Sequence, residues 1–84
     1  MSYAIKWDAG ALKFLQKLDV SVAKRILVKL DDVSLDPFRY LEHFERKNVY
    51  KLRIGVFRML IDIDLKNKIF TIQVFDKRGR VYRR

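Results

Sequence analysis

The stretch Val49-Tyr50-Lys51-Leu52-Arg53-Ile54-Gly55-Val56-Phe57-Arg58-Met59-Leu60-Ile61-Asp62-Ile63-Asp64 decides the fold. Tyr50, Leu52 and Ile54 alternate with Val49, Lys51 and Arg53, and beyond Gly55 the residues Phe57, Met59, Ile61 and Ile63 again share one parity. Period-two alternation marks strands with one buried face, and a lone glycine between two such runs marks a tight hairpin turn. The same parity sends Lys51, Arg53, Arg58 and Leu60 to the opposite face. A short Gly turn sets Arg53 and Arg58 nearly opposite each other, close enough to share one phosphodiester.

Working outward, Lys66-Asn67-Lys68 reads as a second turn. It is followed by a last strand with Phe70, Ile72 and Val74 inside and Thr71, Gln73 and Phe75 outside. Asp62 and Asp64, next to Lys66 and Lys68, are expected to form turn-proximal ion pairs. Upstream, Tyr3, Ile5 and Trp7 alternate as a short strand, and Asp8 is placed to cap a helix with its carboxylate. That helix carries Ala11, Phe14, Leu15 and Leu18 on one face. Asp19 or Ser21 restarts a second helix whose stripe is Val22, Ala23, Ile26, Leu27, Leu30 and Val33, ended by Asp36-Pro37. Between Phe38 and Lys47 only a short turn of helix around Tyr40–Phe44 is expected. The fold class is α+β in the order β-α-α-β-β-β, a helical hairpin packed on one face of a mostly antiparallel four-stranded sheet.

The chain has 84 residues, half of them hydrophobic, with three Gly and one Pro, which excludes a disordered or collagen-like chain. No repeat or linker divides it, so residues 1–84 are expected to form one domain. No apolar run is long enough to cross a bilayer and no signal-peptide core opens the chain, so a cytoplasmic location with no membrane partner is expected. With no cysteine, a disulfide scaffold, a thiolate metal site and a Cys nucleophile are excluded together. A single histidine, His43, argues against a zinc site or a paired-histidine ribonuclease and is read as structural or solvated. No cofactor and no metal are expected.

Charge carries the functional signal. Nineteen Lys and Arg against ten Asp and Glu give +9. Residues 1–43 hold seven basic and six acidic side chains, net +1, whereas residues 44–84 hold twelve and four, net +8. A basic excess concentrated in one half points to a polyanionic partner. That half contains Lys51, Arg53 and Arg58 on one sheet face, adjoined by a tail with Lys77, Arg78, Arg80, Tyr82, Arg83 and Arg84. Arginine forks bind phosphate oxygens in pairs, lysine supplies a compact charge, and a tyrosine ring stacks on a base, which together make an RNA-binding surface. They also suffice for RNA transesterification by the 2′-hydroxyl, which needs a base, an acid and cations around the phosphorane, and no obligatory metal or histidine.

Tyr50-Lys51-Leu52-Arg53-Ile54-Gly55-Val56-Phe57-Arg58 resembles the hallmark segment of the RelE branch of the RelE/ParE toxin superfamily. The ending Asp76-Lys77-Arg78-Gly79-Arg80-Val81-Tyr82-Arg83 resembles that family's terminal segment. The opening Tyr3-Ala4-Ile5-Lys6-Trp7, the helix end Leu15-Gln16-Lys17-Leu18 and the Asp36-Pro37 break extend the resemblance over nearly the whole chain.

The resemblance implies the toxin of a type II toxin–antitoxin system, a metal-independent endoribonuclease that cuts mRNA in the ribosomal A site and so halts translation. In the implied roles, Lys51 and Arg53 orient or activate the 2′-hydroxyl and steady the phosphate, and Arg58 stabilises the phosphate. Arg78 serves the leaving 5′-oxygen, and Tyr82 acts as general base or stacking platform. Lys77, Arg80, Arg83 and Arg84 are the accompanying RNA-binding residues. Arg53 stands where some members have Lys, and arginine is a poor proton acceptor, so base chemistry falls to Lys51 or Tyr82. Implied partners are the ribosome with its mRNA and 16S rRNA, and a cognate RelB-like antitoxin in a hetero-oligomer, whose acidic segment would cover the basic groove. Two alternatives stay open: a ParE-like gyrase-poisoning toxin, and a non-catalytic ribosome- or RNA-binding protein.

Overall fold

The computed structural model describes residues 3–44 and 48–77. The elements run β1 (Ala4–Trp7), α1 (Ala9–Gln16), α2 (Val20–Leu35), α3 (Pro37–Tyr40), β2 (Glu42–His43), β3 (Val49–Ile54), β4 (Phe57–Asp64) and β5 (Ile69–Lys77). One sheet has the order β1-β5-β4-β3-β2, with β1 parallel to β5 and every other pairing antiparallel. The class is therefore the expected α+β, with five strands among the described residues rather than four.

The added strand is β2. It pairs Glu42 with Lys51 and His43 with Tyr50, where the sequence pointed to helix. The helical turn ends at Tyr40, and a two-residue strand is too short to show alternation, so no periodic signal existed to read. Ring contacts hold the segment: Phe38 and His43 each meet the Tyr50 ring edge-on at 5.3 Å between centroids.

The helices form where the apolar spacing placed them, except that α1 ends at Gln16 and leaves Leu18, expected on its apolar face, just beyond it. Ala11 and Leu15 of α1 and Ile26, Leu30 and Val33 of α2 are buried against Leu52, Met59, Ile61, Ile63, Phe70 and Ile72 of the sheet. Leu27 is the exception. Assigned to the α2 stripe from sequence, it lies 42% exposed, because about 100° of rotation per residue carries it off the face that Ile26 and Leu30 bury. Asp8 and Asp19 occupy the N-cap positions of α1 and α2, but neither carboxylate makes a capping hydrogen bond; the backbone carbonyls alone accept, from Leu12 and Ala23. Asp36 ends α2, and Pro37 opens α3, where its missing N–H costs nothing.

Gly55 has φ +58° at the head of the two-residue β3–β4 turn, the conformation that favours glycine there. No such simple geometry joins β4 to β5. Ile61 pairs with Ile72 but Leu60 pairs with Val74, so Gln73 is an extra residue, a β-bulge. The bulge inverts side-chain parity beyond it and overturns the outward assignment of Phe75. Phe75 is 5% exposed and packs on Phe14 at 4.7 Å, Phe57 at 5.7 Å and Trp7 at 6.1 Å between centroids. Val74, expected inside, is exposed in its place. Among the described residues no helix is long and apolar enough to cross a membrane.

Candidate nucleic-acid interface

With the helices on one side, the outer face of the sheet is built from rows of cross-strand neighbours. One row runs Glu42, Lys51, Leu60, Val74; the next runs Arg53, Arg58, Asp76. The uninterrupted β3–β4 register sets Arg53 directly opposite Arg58, as the hairpin reading required. Side chains so opposed have Cβ atoms about 5 Å apart, within the span of one phosphate group.

The three cations are not equally presented. Arg53 is exposed and Lys51 is partly exposed. Arg58 is 2% exposed, with its Nε and Nη1 shielded from solvent. The expectation of three open cations therefore holds for two, while Arg58 contributes its charge from beneath the surface. Arginine is almost never buried without a structural or chemical reason, which marks the position out.

Lys51 Nζ stands 3.6 Å from Glu42 Oε1. Glu42 is 76% exposed, so this is a loose surface pair worth at most about 1 kcal/mol, and a phosphate could displace it. A shallow cavity of about 320 Å³ opens here, lined by Tyr40, Glu42, Lys51 and Arg53.

Tyr40 and Glu42 are the members of this cavity that sequence reading did not single out. Lys29 Nζ lies 4.6 Å from the Tyr40 ring centroid and the Arg39 guanidinium 5.8 Å, so cations flank the ring. An aromatic ring beside a cavity lined by Lys51 and Arg53 has the ingredients of a base-stacking platform. The available signal was an aromatic just after the Asp36-Pro37 break, but only the β2–β3 pairing brings it next to Lys51.

Lys77 departs from the rest. It pairs with Phe57, so its parity is that of the core row rather than of Arg53 and Arg58, and it is exposed at the end of β5. Arg78, Arg80, Tyr82, Arg83 and Arg84 lie outside the described residues. His43 is exposed and packs on Tyr50, as its structural reading required. Asp64 does not ion-pair in the expected way: it accepts hydrogen bonds from the Asn67 backbone N–H at 3.1 Å and from Asn67 Nδ2 at 2.9 Å. The Asn67 side-chain bond is the main cause holding its carboxyl below the usual carboxylate range, with the Lys66 charge a lesser one. Among the described residues no three His, Asp or Glu side chains are grouped to hold a metal ion.

No family model matches the sequence, and no curated protein matches it. Solved structures do. The RelE–RelB complex of Pyrococcus horikoshii matches at TM-score 0.80 and 25% identity, over 95% of this chain and 99% of that one. The toxin–antitoxin complex RelBE2 of Mycobacterium tuberculosis matches at 0.79 and 24%, over 93% and 100%. The isolated E. coli RelE toxin matches at 0.80 and 22%, over 94% and 87%.

Proposed function

We propose that this chain, which has the RelE toxin fold, is the toxin of a toxin–antitoxin pair and acts as a ribosome-dependent endoribonuclease on mRNA in the cytoplasm. The observation that carries the reading is that Lys51, Arg53 and Arg58 stand on adjoining rows of one sheet face, with Lys51 and Arg53 lining a cavity that also holds Tyr40.

The reaction is an internal transesterification. The 2′-hydroxyl oxygen bonds to the neighbouring phosphorus, the bond from phosphorus to the 5′-oxygen breaks, and a cyclic phosphate remains on the upstream fragment. One proton leaves the 2′-hydroxyl and one reaches the departing 5′-oxygen. Charge accumulates on the non-bridging oxygens, where Arg53 supplies a forked contact and Arg58 a charge fixed from below. Lys51, released from Glu42, adds an ammonium on the same side. Arg78 serves the leaving oxygen, and Tyr82 takes the proton or stacks a base. Tyr40 offers a second ring for stacking.

The basic half of the chain also suits an acidic antitoxin segment, and the structural neighbours include complexes of RelE with RelB. Such a segment would neutralise Arg53 and Lys51 by occupying the place of the phosphate.

The deciding experiment adds purified protein to ribosomes programmed with a defined message and maps cleavage by primer extension. New ends within the A-site codon, absent on naked message, are the expected result. Intact message with arrested DNA synthesis in induced cells would instead favour gyrase poisoning.

A further inference from the structure

The outward side of α2 carries a second apolar stripe. Val20 is 76% exposed, Leu27 42%, Val28 63% and Leu35 63%, while Lys24 and Asp31 lie exposed among them. At about 100° per residue these six fall in a sector roughly 100° wide, turned away from Ile26, Leu30 and Val33. The steps from Val20 to Lys24, Leu27, Asp31 and Leu35 are threes and fours, the spacing of a helix-pairing seam.

We propose that this stripe joins two copies of the chain, α2 against α2, antiparallel about a two-fold axis between Leu27 and Val28. The stripe is a charge palindrome. Turned end for end, Val20 meets Leu35, Lys24 meets Asp31, and Leu27 meets Val28. Each apolar residue finds an apolar partner, and the Lys24–Asp31 contact forms twice, as a self-complementary interface demands. A parallel pairing would set Lys24 on Lys24 and Asp31 on Asp31. Charged residues within an apolar seam thus fix orientation and register.

The distribution of charge permits the contact despite the +9 total. Residues 1–43, which contain α2, carry net +1. Arg53 and Lys51 lie on the sheet face opposite the helices, so pairing through α2 directs the two basic faces apart. A 16-residue helix is about 24 Å long. Two such helices side by side bury roughly 800–1,000 Å², below the span of stable specific interfaces and within that of transient ones, so the dimer is weak and concentration-dependent. The inference does not rest on the nuclease reading, and either can fail without the other.

Sedimentation of the purified full chain, from the micromolar to the millimolar range, tests it. The expected result is a monomer–dimer equilibrium that Lys24→Glu or Asp31→Lys each weakens at least tenfold and the double variant Lys24→Glu/Asp31→Lys restores. All these positions are exposed, and unchanged far-UV circular dichroism confirms that the variants fold. Orientation is read by oxidation, since the chain has no cysteine of its own. Val28→Cys should cross-link with itself, and Val20→Cys only when mixed with Leu35→Cys. A chain that stays monomeric throughout, a dimer indifferent to both charge reversals, or self-linkage of Val20→Cys would each overturn the proposal. So would a stripe that captures only an acidic helical peptide and never a second copy.

Discussion

The two hairpins of the sheet make an instructive pair. From Val49 to Phe57 and on to Asp62, β3 and β4 keep one register, and every side chain sits on the face its parity assigns. Between β4 and β5 the same rule holds from Asp64 to Ile61 and then fails, because Gln73 enters as an extra residue. A period-two argument is a local count, and one inserted residue reverses everything beyond it. The consequence for the core is that Phe75 completes an aromatic group with Phe14 and Phe57 instead of facing solvent.

The sharpest way to break that comparison is to truncate the two residues whose faces the bulge exchanges. Phe75→Ala should cost about 3–5 kcal/mol in urea unfolding, the range for emptying a buried aromatic site. Val74→Ala, on a partly exposed position, should cost below about 1 kcal/mol. An equal cost, or a reversed order, would mean that β5 runs without the bulge.

The second test concerns the regular hairpin and uses its cross-strand pair. Arg53→Ala should lower cleavage on programmed ribosomes about a hundredfold, the usual effect of losing one transition-state donor, and leave the melting temperature nearly unchanged because Arg53 is exposed. Arg58→Ala should lower both cleavage and melting temperature, since its guanidinium is enclosed by the fold. The split between the two readouts matters more than either loss. If Arg58→Ala melts like the parent protein, its burial has no structural role.

These contrasts show where the sequence was legible. The hairpin around Gly55 could be read because both strands are long, alternate cleanly and meet at a residue suited to φ +58°. The helical core was legible for the same reason of periodicity, except at Leu27, where an apolar residue beside the stripe looks like part of it. The candidate site was only half legible. Parity placed Lys51, Arg53 and Arg58 on one face, but burial of Arg58 depends on what packs over it, which no local pattern encodes. Tyr40 and Glu42 join the site only through β2, whose two residues carry no periodic signal. Lys77 was assigned by proximity to the basic tail, and the bulge upstream turned its parity toward the core row.

The smallest expected effect lies at the turn that connects the unlike halves of the β4–β5 pair. Asn67 donates twice to the Asp64 carboxylate, and these bonds favour the ionised form, so the folded-state pKa lies below the unfolded one. A lowered folded pKa means that the stabilisation is fully present above the unfolded value, near pH 4, and fades as pH falls through the folded value. Asn67→Ala removes the principal cause. Its melting temperature should fall slightly below that of the parent at neutral pH, and the difference should shrink as the solution is acidified below about pH 4. A gap that stayed constant across that range would assign the cost to turn geometry alone. In that case Lys68, held at φ 59° in the same turn, would be the residue to replace next, with glycine.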